Sequence, residues 1–437
     1  MIVTKFGGTS MASADQFKKV RNIIEEDSER QIVVVSAPGK RTKDDIKITD
    51  LLYTLYMHLQ YGVPYADIWD MIAGRYMEIA RDLELDYDIS VDLAAFKAEL
   101  NKHIDQNYLV SRGEFFSAKL MSAYLGFDFV DSKDIIRFNY NGTVDYVRSE
   151  QNAKKLFSSH GRIVVPGFYG SYPNRDICLF SRGGSDITGS YLAAFLNARI
   201  YENWTDVTGI LATDPRIVEN PKNISQITYA ELRELSYMGA NVLHEDSIAP
   251  LQDKNISINI RNTNEPECAG TIIKKDCYDD SSIITGISGK KDFVSFDILK
   301  DHMSTEIGFT RRVLEIFESY KINVEHVPTG IDSMSIVVSG ASVGSNMYDI
   351  VSKIETEMGA KVTAKKELAL VAIVGRNMVG KSGICARVFA SLSAVDINIK
   401  MIAQPPDETT IIVGVDNINY KKAIKALYED FEKANWI

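Results

Sequence analysis

No stretch of this 437-residue sequence reaches the roughly 18 consecutive apolar residues of a membrane-crossing helix, and no apolar leader precedes its first predicted strand, so cytoplasmic residence is the expectation. Cysteine is scarce. Its four residues, Cys178, Cys268, Cys277 and Cys385, show no C-x-x-C spacing and suggest neither a disulfide framework nor a zinc site. Positive charge is in deficit, 49 lysines and arginines against 59 acids for a net charge of −10, which argues against nucleic acid or a membrane surface as partner. The acids are scattered, so there is no acidic tail. Histidine approaches a motif only at His244 and His302, and both are read as structural. What remains, 45% hydrophobic and 25% charged residues, is ordinary for a globular chain with a large core, and its length suggests about three domains.

Glycine pairs behind predicted strands are what the sequence does have. The apolar run Ile2-Val3-Thr4 reads as a buried strand, and Lys5-Phe6-Gly7-Gly8-Thr9-Ser10 follows it directly. Two bare backbone units let N–H groups approach an anion, and the lysine adds a point charge. Thr9 or Ser10 is placed to cap a helix running through Phe17, Val20, Ile23 and Ile24, whose positive end then faces the same spot. The pattern returns where Arg182, Gly183, Gly184, Ser185 and Asp186 leave a strand and open a helix with Ile187, Tyr191, Leu192 and Phe195 at helical spacing. Ser185 or Asp186 serves there either as a helix cap or as a ligand group. Two further segments, Asn203 to Gly209 and Ala212 to Arg216, carry Asp206 and Asp214 and either set polar groups beside a nucleotide or are simply turns.

The β-branched runs Gln31 to Ser36 and Arg162 to Phe168 predict strands buried on both faces of a parallel sheet, with Ser36 and Gly167 at their carboxyl ends, where open α/β sheets bind ligands. Between them, residues 44–125 have helical spacing and predict a helical lid over the sheet. Farther on, Gly308, Arg312, Val313, Ile322 and Asn323 recur at one constant offset as Gly383, Arg387, Val388, Ile397 and Asn398. Each repeat reads strand, helix, strand, strand, helix. Gly375 to Ser382 matches the P-loop pattern, yet it lies inside the second repeat and too little chain follows it for a P-loop NTPase sheet.

The motifs K-F-G-G-T-S, S-R-G-G-S-D, W-T-D-V-x-G-I with T-D-P-R shortly after, and Gly239-Ala240-Asn241-Val242-Leu243-His244 stand in the order of the aspartokinases of the amino acid kinase family, which the chain resembles over essentially its whole length. The resemblance implies an α/β fold: residues 1–280 as an amino acid kinase domain, an open and mostly parallel sheet with helices on both faces, followed by two βαββαβ ACT modules at 281–367 and 368–437. The second module lacks a final strand, so Ser282 to Gly289 is expected to supply an edge and interleave the two. The implied activity is ATP-dependent phosphorylation of the side-chain carboxylate of L-aspartate to 4-phospho-L-aspartate, the first step toward the aspartate-derived amino acids lysine, threonine and methionine.

The resemblance also distributes roles. Lys5, Gly8 and Asp186 are the implied catalytic residues; Ser36, Thr42, Glu114, Arg182 and Ser185 match aspartate-binding positions. Lys5, Phe6, Gly7, Gly8, Thr205, Asp206, Asp214, Arg216 and Asn241 match nucleotide-binding ones, with Mg2+ held mainly by the nucleotide phosphates and no metal site of the protein's own. Met303, Gly308, Phe309, Glu325 and Thr329 lie in loops resembling lysine-sensitive effector sites, so L-lysine is the expected effector, and ACT pairing implies a homodimer or larger. One departure stands out: Asn241 replaces the usual lysine, and Glu245 a proline. If that lysine touches phosphate, Asn241→Lys lowers the ATP KM.

Such a substrate sets the chemistry. Its attacking carboxylate, with a pKa of about 4, is already ionised at neutral pH, so no general base is needed. The enzyme must align two anions and neutralise the charge that builds as the γ-phosphoryl moves, a task suited to Lys5 and the N–H groups of Gly7, Gly8, Gly183 and Gly184. A bidentate cation suits the α-carboxylate and an anion the α-ammonium, roles open to Arg182 and Glu114. Arg112 and Glu114 read equally as a solvated pair at a helix start. Two other readings remain: a relative acting on another acid, which would generally lack paired ACT units, and an amino acid sensor with an inactive kinase half, against which Lys5, Arg182 and Asp186 count.

Overall fold

The computed structural model describes all residues except Arg182, Asn241, Val242, His244 and 278–281. The chain divides into two compact units, the first comprising Met1–Ile210, Ser225–Tyr229 and Val242–Cys277.

An eight-stranded sheet organises the first unit in the order Gln226–Thr228, Thr271–Lys274, Ser257–Asn262, Ile200–Thr205, Ile2–Phe6, Arg30–Val35, Ile163–Pro166, Asp128–Phe129. Every neighbouring pair is parallel except Ser257–Asn262 with Thr271–Lys274. Ile32 to Val35 and Ile163 to Val165 are uninterrupted apolar runs, as strands buried on both faces of a parallel sheet are, whereas Ile2–Phe6 admits the buried Thr4 and Lys5. Four helices, Ile48–Tyr61, Ala66–Asp82, Ile89–Glu99 and Gln106–Leu125, fill the segment expected to be helical, and Leu52, Leu55, Trp69, Tyr76, Phe96 and Phe116 join them in one core with Phe6, Phe17 and Trp204. The helix Ala14–Glu26 buries Phe17, Val20, Ile23 and Ile24 as its spacing predicts. Its N-cap, however, is Ser13 and not Thr9 or Ser10, because Gly8–Met11 first makes a 3-10 turn that directs Ser10 Oγ to Thr263 Oγ1 at 2.8 Å.

The second unit comprises Leu211–Ile224, Ala230–Asn241 and Tyr278–Ile437. It holds a six-stranded antiparallel sheet in the order Val324–His326, Ser333–Ser339, Gly286–Leu299, Lys361–Val374, Thr410–Asp416, Met401–Ala403. The later half of Gly286–Leu299 pairs with Ser333–Ser339, whereas Gly286 to Lys290 pairs with Leu370 to Val374, so chain preceding the first repeat adds a strand to the second. Gly308 and Gly383, equivalent in the repeat, precede the helices Phe309–Ser319 and Ile384–Ser393 with φ of 78° and 88°, a conformation that costs a β-carbon dearly and explains why glycine recurs there.

Candidate active site

Lys5 lies at the carboxyl end of the central strand and is 7% exposed. Its Nζ is 2.6 Å from Asp186 Oδ1, and Asn203 Nδ2 donates to the same oxygen at 2.8 Å. Asn203 is the register partner of Lys5 on the adjacent parallel strand, so both side chains leave one face of the sheet side by side. Asp186 sits in the first turn of the helix Gly184–Phe195, whose N-cap is Gly183. The ion pair therefore ties one glycine turn to the other, and the unsatisfied N–H groups of that first turn favour an anion beside the ammonium.

Aromatic packing holds the first turn in place. Gly7 N donates to Trp204 O at 3.0 Å, and the Trp204 ring stacks on Phe6 with centroids 6.0 Å apart. Trp204 Nε1 donates to Glu202 Oε2 at 2.9 Å, and Arg30 Nε grips the same carboxylate at 2.8 Å. Gly39 N donates to Gly8 O at 2.7 Å, an approach so close that a Cβ on Gly39 would lie 2.6 Å from the Gly8 carbonyl carbon.

The residues expected to meet the amino acid lie at or beside neighbouring strand ends. Ser36 follows the strand Arg30–Val35 and donates its N–H to Phe6 O at 3.2 Å. Ser185 is buried against Gly167, where a Cβ would fall 2.6 Å from the serine Cβ and Oγ. Glu114, inside the helix Gln106–Leu125, is 4% exposed, and its Oε2 is buried with no hydrogen-bond partner among the described residues. Burial pushes this carboxyl up to about 8, against the lowering effects of the Ala37 N–H, its own N–H and the charge of Arg112. Arg112 is buried as well, bonded to Ser111 Oγ at 2.8 Å and set 4.3 Å over the Phe115 ring, so the solvated pair open from the sequence does not form. Thr42 is exposed in the loop that follows Ser36.

Other expected residues are more dispersed. Thr205 ends its strand with Oγ1 3.2 Å from Asp206 Oδ1, and Asp206 is exposed. Asp214 and Arg216 belong to the second unit, where they pair with each other at 2.7 Å. Arg182 and Asn241 lie outside the described residues. Of the expected effector contacts, also in the second unit, Met303 and Phe309 are buried in the module core, Gly308 is a helix N-cap, Thr329 bridges Met334, and Glu325 accepts a hydrogen bond from Tyr237 Oη. Burial first, and then Glu325, hold the Tyr237 phenol up at about 12, so it remains a donor.

Three residues beside these turns were not singled out in the sequence: Asn203, which donates to Asp186, and Asp45 and Arg75, which pair at 2.8 Å while Arg75 also donates to Gly39 O at 3.1 Å. Asn203 stood inside a recognised motif. Arg75 had a weaker signal, a charge among Ile72, Tyr76 and Ile79 on a helix face that is otherwise apolar.

The profile of the amino acid kinase family matches residues 1–262, and that of an ACT domain residues 371–431. Aspartokinase 3 of Bacillus subtilis (strain 168) is 37% identical over 99% of this chain and 98% of its own. The crystal structure of Clostridium acetobutylicum aspartate kinase superposes with a TM-score of 0.90 at 43% identity, covering 98% of this chain and 99% of that one. E. coli aspartokinase III, solved in complex with aspartate and ADP, gives 0.74 at 25% identity, covering 98% of this chain and 99% of its own. Among the described residues no helix is long and apolar enough to cross a membrane.

Proposed function

The chain belongs to the amino acid kinase family, as an aspartokinase, and on that premise we propose that it transfers the γ-phosphoryl group of ATP to the side-chain carboxylate of L-aspartate at the site around Lys5. The observation that carries this assignment of residues is the buried Oε2 of Glu114, without a hydrogen-bond partner among the described residues, which the substrate α-ammonium would meet once the carboxyl has given up its proton. Arg182 would take the α-carboxylate, with Ser36, Thr42 and Ser185 bonding the rest of the amino acid. The acceptor carboxylate needs no base, so catalysis is alignment plus charge neutralisation. Lys5, kept in place by Asp186 and Asn203, neutralises charge on the transferring phosphoryl, and the N–H groups of Gly7, Gly8, Gly183 and Gly184 do so from the backbone.

Phe6, Thr205, Asp206, Asp214, Arg216 and Asn241 are assigned to the nucleotide. Asp186, the acid nearest Lys5, is already engaged by two donors, which fits Mg2+ bound through phosphate oxygens and supplying charge neutralisation there. The E. coli relative solved with aspartate and ADP supports a paired amino acid and nucleotide site in this fold. We assign the enzyme to the cytoplasm, at the entry to the aspartate-derived amino acids, as a homodimer or larger assembly through its ACT modules. L-Lysine is the proposed inhibitor, its ammonium meeting Glu325, which has no ion pair among the described residues.

The test is ADP release from Mg-ATP with L-aspartate, with L-glutamate as control and with L-lysine added. Aspartate-dependent turnover suppressed by lysine is expected. Turnover on glutamate alone would overturn the substrate, and indifference to lysine the effector.

A further inference from the structure

The loop of residues 36–47 is fixed at more points than an irregular connection requires. Gly39 N donates to Gly8 O at 2.7 Å and Ile48 N to Pro38 O at 3.1 Å. Arg41 Nη1 also reaches Glu78 Oε2 at 2.8 Å, and one carboxylate gathers most of the other contacts. Asp45 accepts from Arg41 N at 2.9 Å, Arg41 Nε at 3.1 Å and Ile46 N at 3.0 Å, and Arg75 Nη2 reaches both of its oxygens at 2.8 Å. Arg75 comes from the helix Ala66–Asp82, its side chain is 5% exposed, and its Nη1 donates to Gly39 O at 3.1 Å. Burial alone would raise the Asp45 carboxyl, but these N–H groups and the Arg75 charge hold it down at about 2, so the pair is ionised throughout any working range.

We propose that Asp45 and Arg75 are positioning residues for the amino acid substrate, clamping the loop so that Ser36, Thr42 and Glu114 address a single aspartate beside the phosphate turn. The proposal rests on the assignment of those three residues to aspartate. Neither clamp residue touches substrate. Arginine suits the clamp because two nitrogens of one planar guanidinium reach the carboxylate and the Gly39 carbonyl separately, whereas an ammonium would have to reach both from a single atom. The nucleotide side has its own supports in Trp204 and Asp186, and the bonds of Asp45 run to Arg41, Ile46 and Arg75 and not to Gly39, so loosening the clamp at Asp45 acts on one substrate.

In the full chain, Asp45→Asn and Arg75→Lys are expected to raise the aspartate KM by about tenfold or more while the ATP KM and kcat stay within about threefold, and the double variant is expected to be no worse than the worse single one. Asp45 is the more exposed partner, so Asp45→Asn carries the test if Arg75→Lys does not fold. An ATP KM rising in step with the aspartate KM would mean a purely structural role and overturn the proposal. If Asp45→Asn leaves the aspartate KM unchanged while Thr42→Val raises it, the clamp is wrong and the loop assignment stands. If both leave it unchanged, that assignment has failed and the clamp with it.

Discussion

Burial pushes the Glu114 carboxyl of the catalytic unit up to about 8, against an ordinary value of 4.5. Below that ordinary value it is protonated whether the chain is folded or not. Between the two values the folded chain keeps a proton that the unfolded chain releases, so stability falls as pH rises, and above about 8 the cost is constant. Glu114→Gln is therefore expected to gain stability over the parent on going from pH 5 to pH 9, by on the order of a few kcal/mol, as thermal or urea denaturation at both values would reveal. The same proton opposes substrate. An arriving ammonium must find the carboxylate ionised, so the aspartate KM should fall as pH rises from 6 to 8, by at most about tenfold per unit, then level off; Glu114→Gln should flatten the profile. A parent profile already flat across that range would remove Glu114 from the ammonium site. The sequence carried the residue but not its state: Glu114 was visible as an anion, whereas its burial depends on how the helix Gln106–Leu125 packs on the sheet, which no local pattern records.

Turns and the elements behind them make the site's second requirement, close backbone approach. Gly39→Ala places a Cβ 2.6 Å from the Gly8 carbonyl carbon, a contact the backbone can relieve only by moving the phosphate turn. It is expected to lower kcat/KM for both substrates by about tenfold or more, unlike the one-sided effect of Asp45→Asn. Steady-state kinetics with each substrate varied in turn would separate the two, and normal kinetics in Gly39→Ala would show that the turn is free to shift. The glycine pairs and strands were legible because strand and turn chemistry is local, and the same holds for the four helices of residues 48–125. The cap of the first helix is not legible in the same way, because an intervening 3-10 turn moves the N-cap to Ser13. The loop 36–47 was illegible beyond Ser36 and Thr42, since its order comes from Arg75, thirty positions from Asp45 along the chain.

Over the whole molecule, the internal repeat was the clearest long-range signal, and the pairing of Gly286 to Lys290 with Leu370 to Val374 gives it a physical basis in one shared sheet. Regulation through that region requires an effector to favour one state by a differential free energy. Because Tyr237 Oη already donates to Glu325, Tyr237→Phe should free the carboxylate and lower the lysine concentration for half-inhibition, whereas Glu325→Gln should raise it about tenfold. Inhibition curves unmoved by both changes would place the effector elsewhere. The most direct measurement concerns the product itself: incubation with Mg-ATP, L-aspartate and hydroxylamine, which traps an acyl phosphate as its hydroxamate. Aspartyl hydroxamate should form with the parent and fall by about a thousandfold in Lys5→Met, which keeps the bulk and removes the charge. Hydroxamate formation undiminished in Lys5→Met, or absent from the folded parent, would contradict phosphoryl transfer at Lys5.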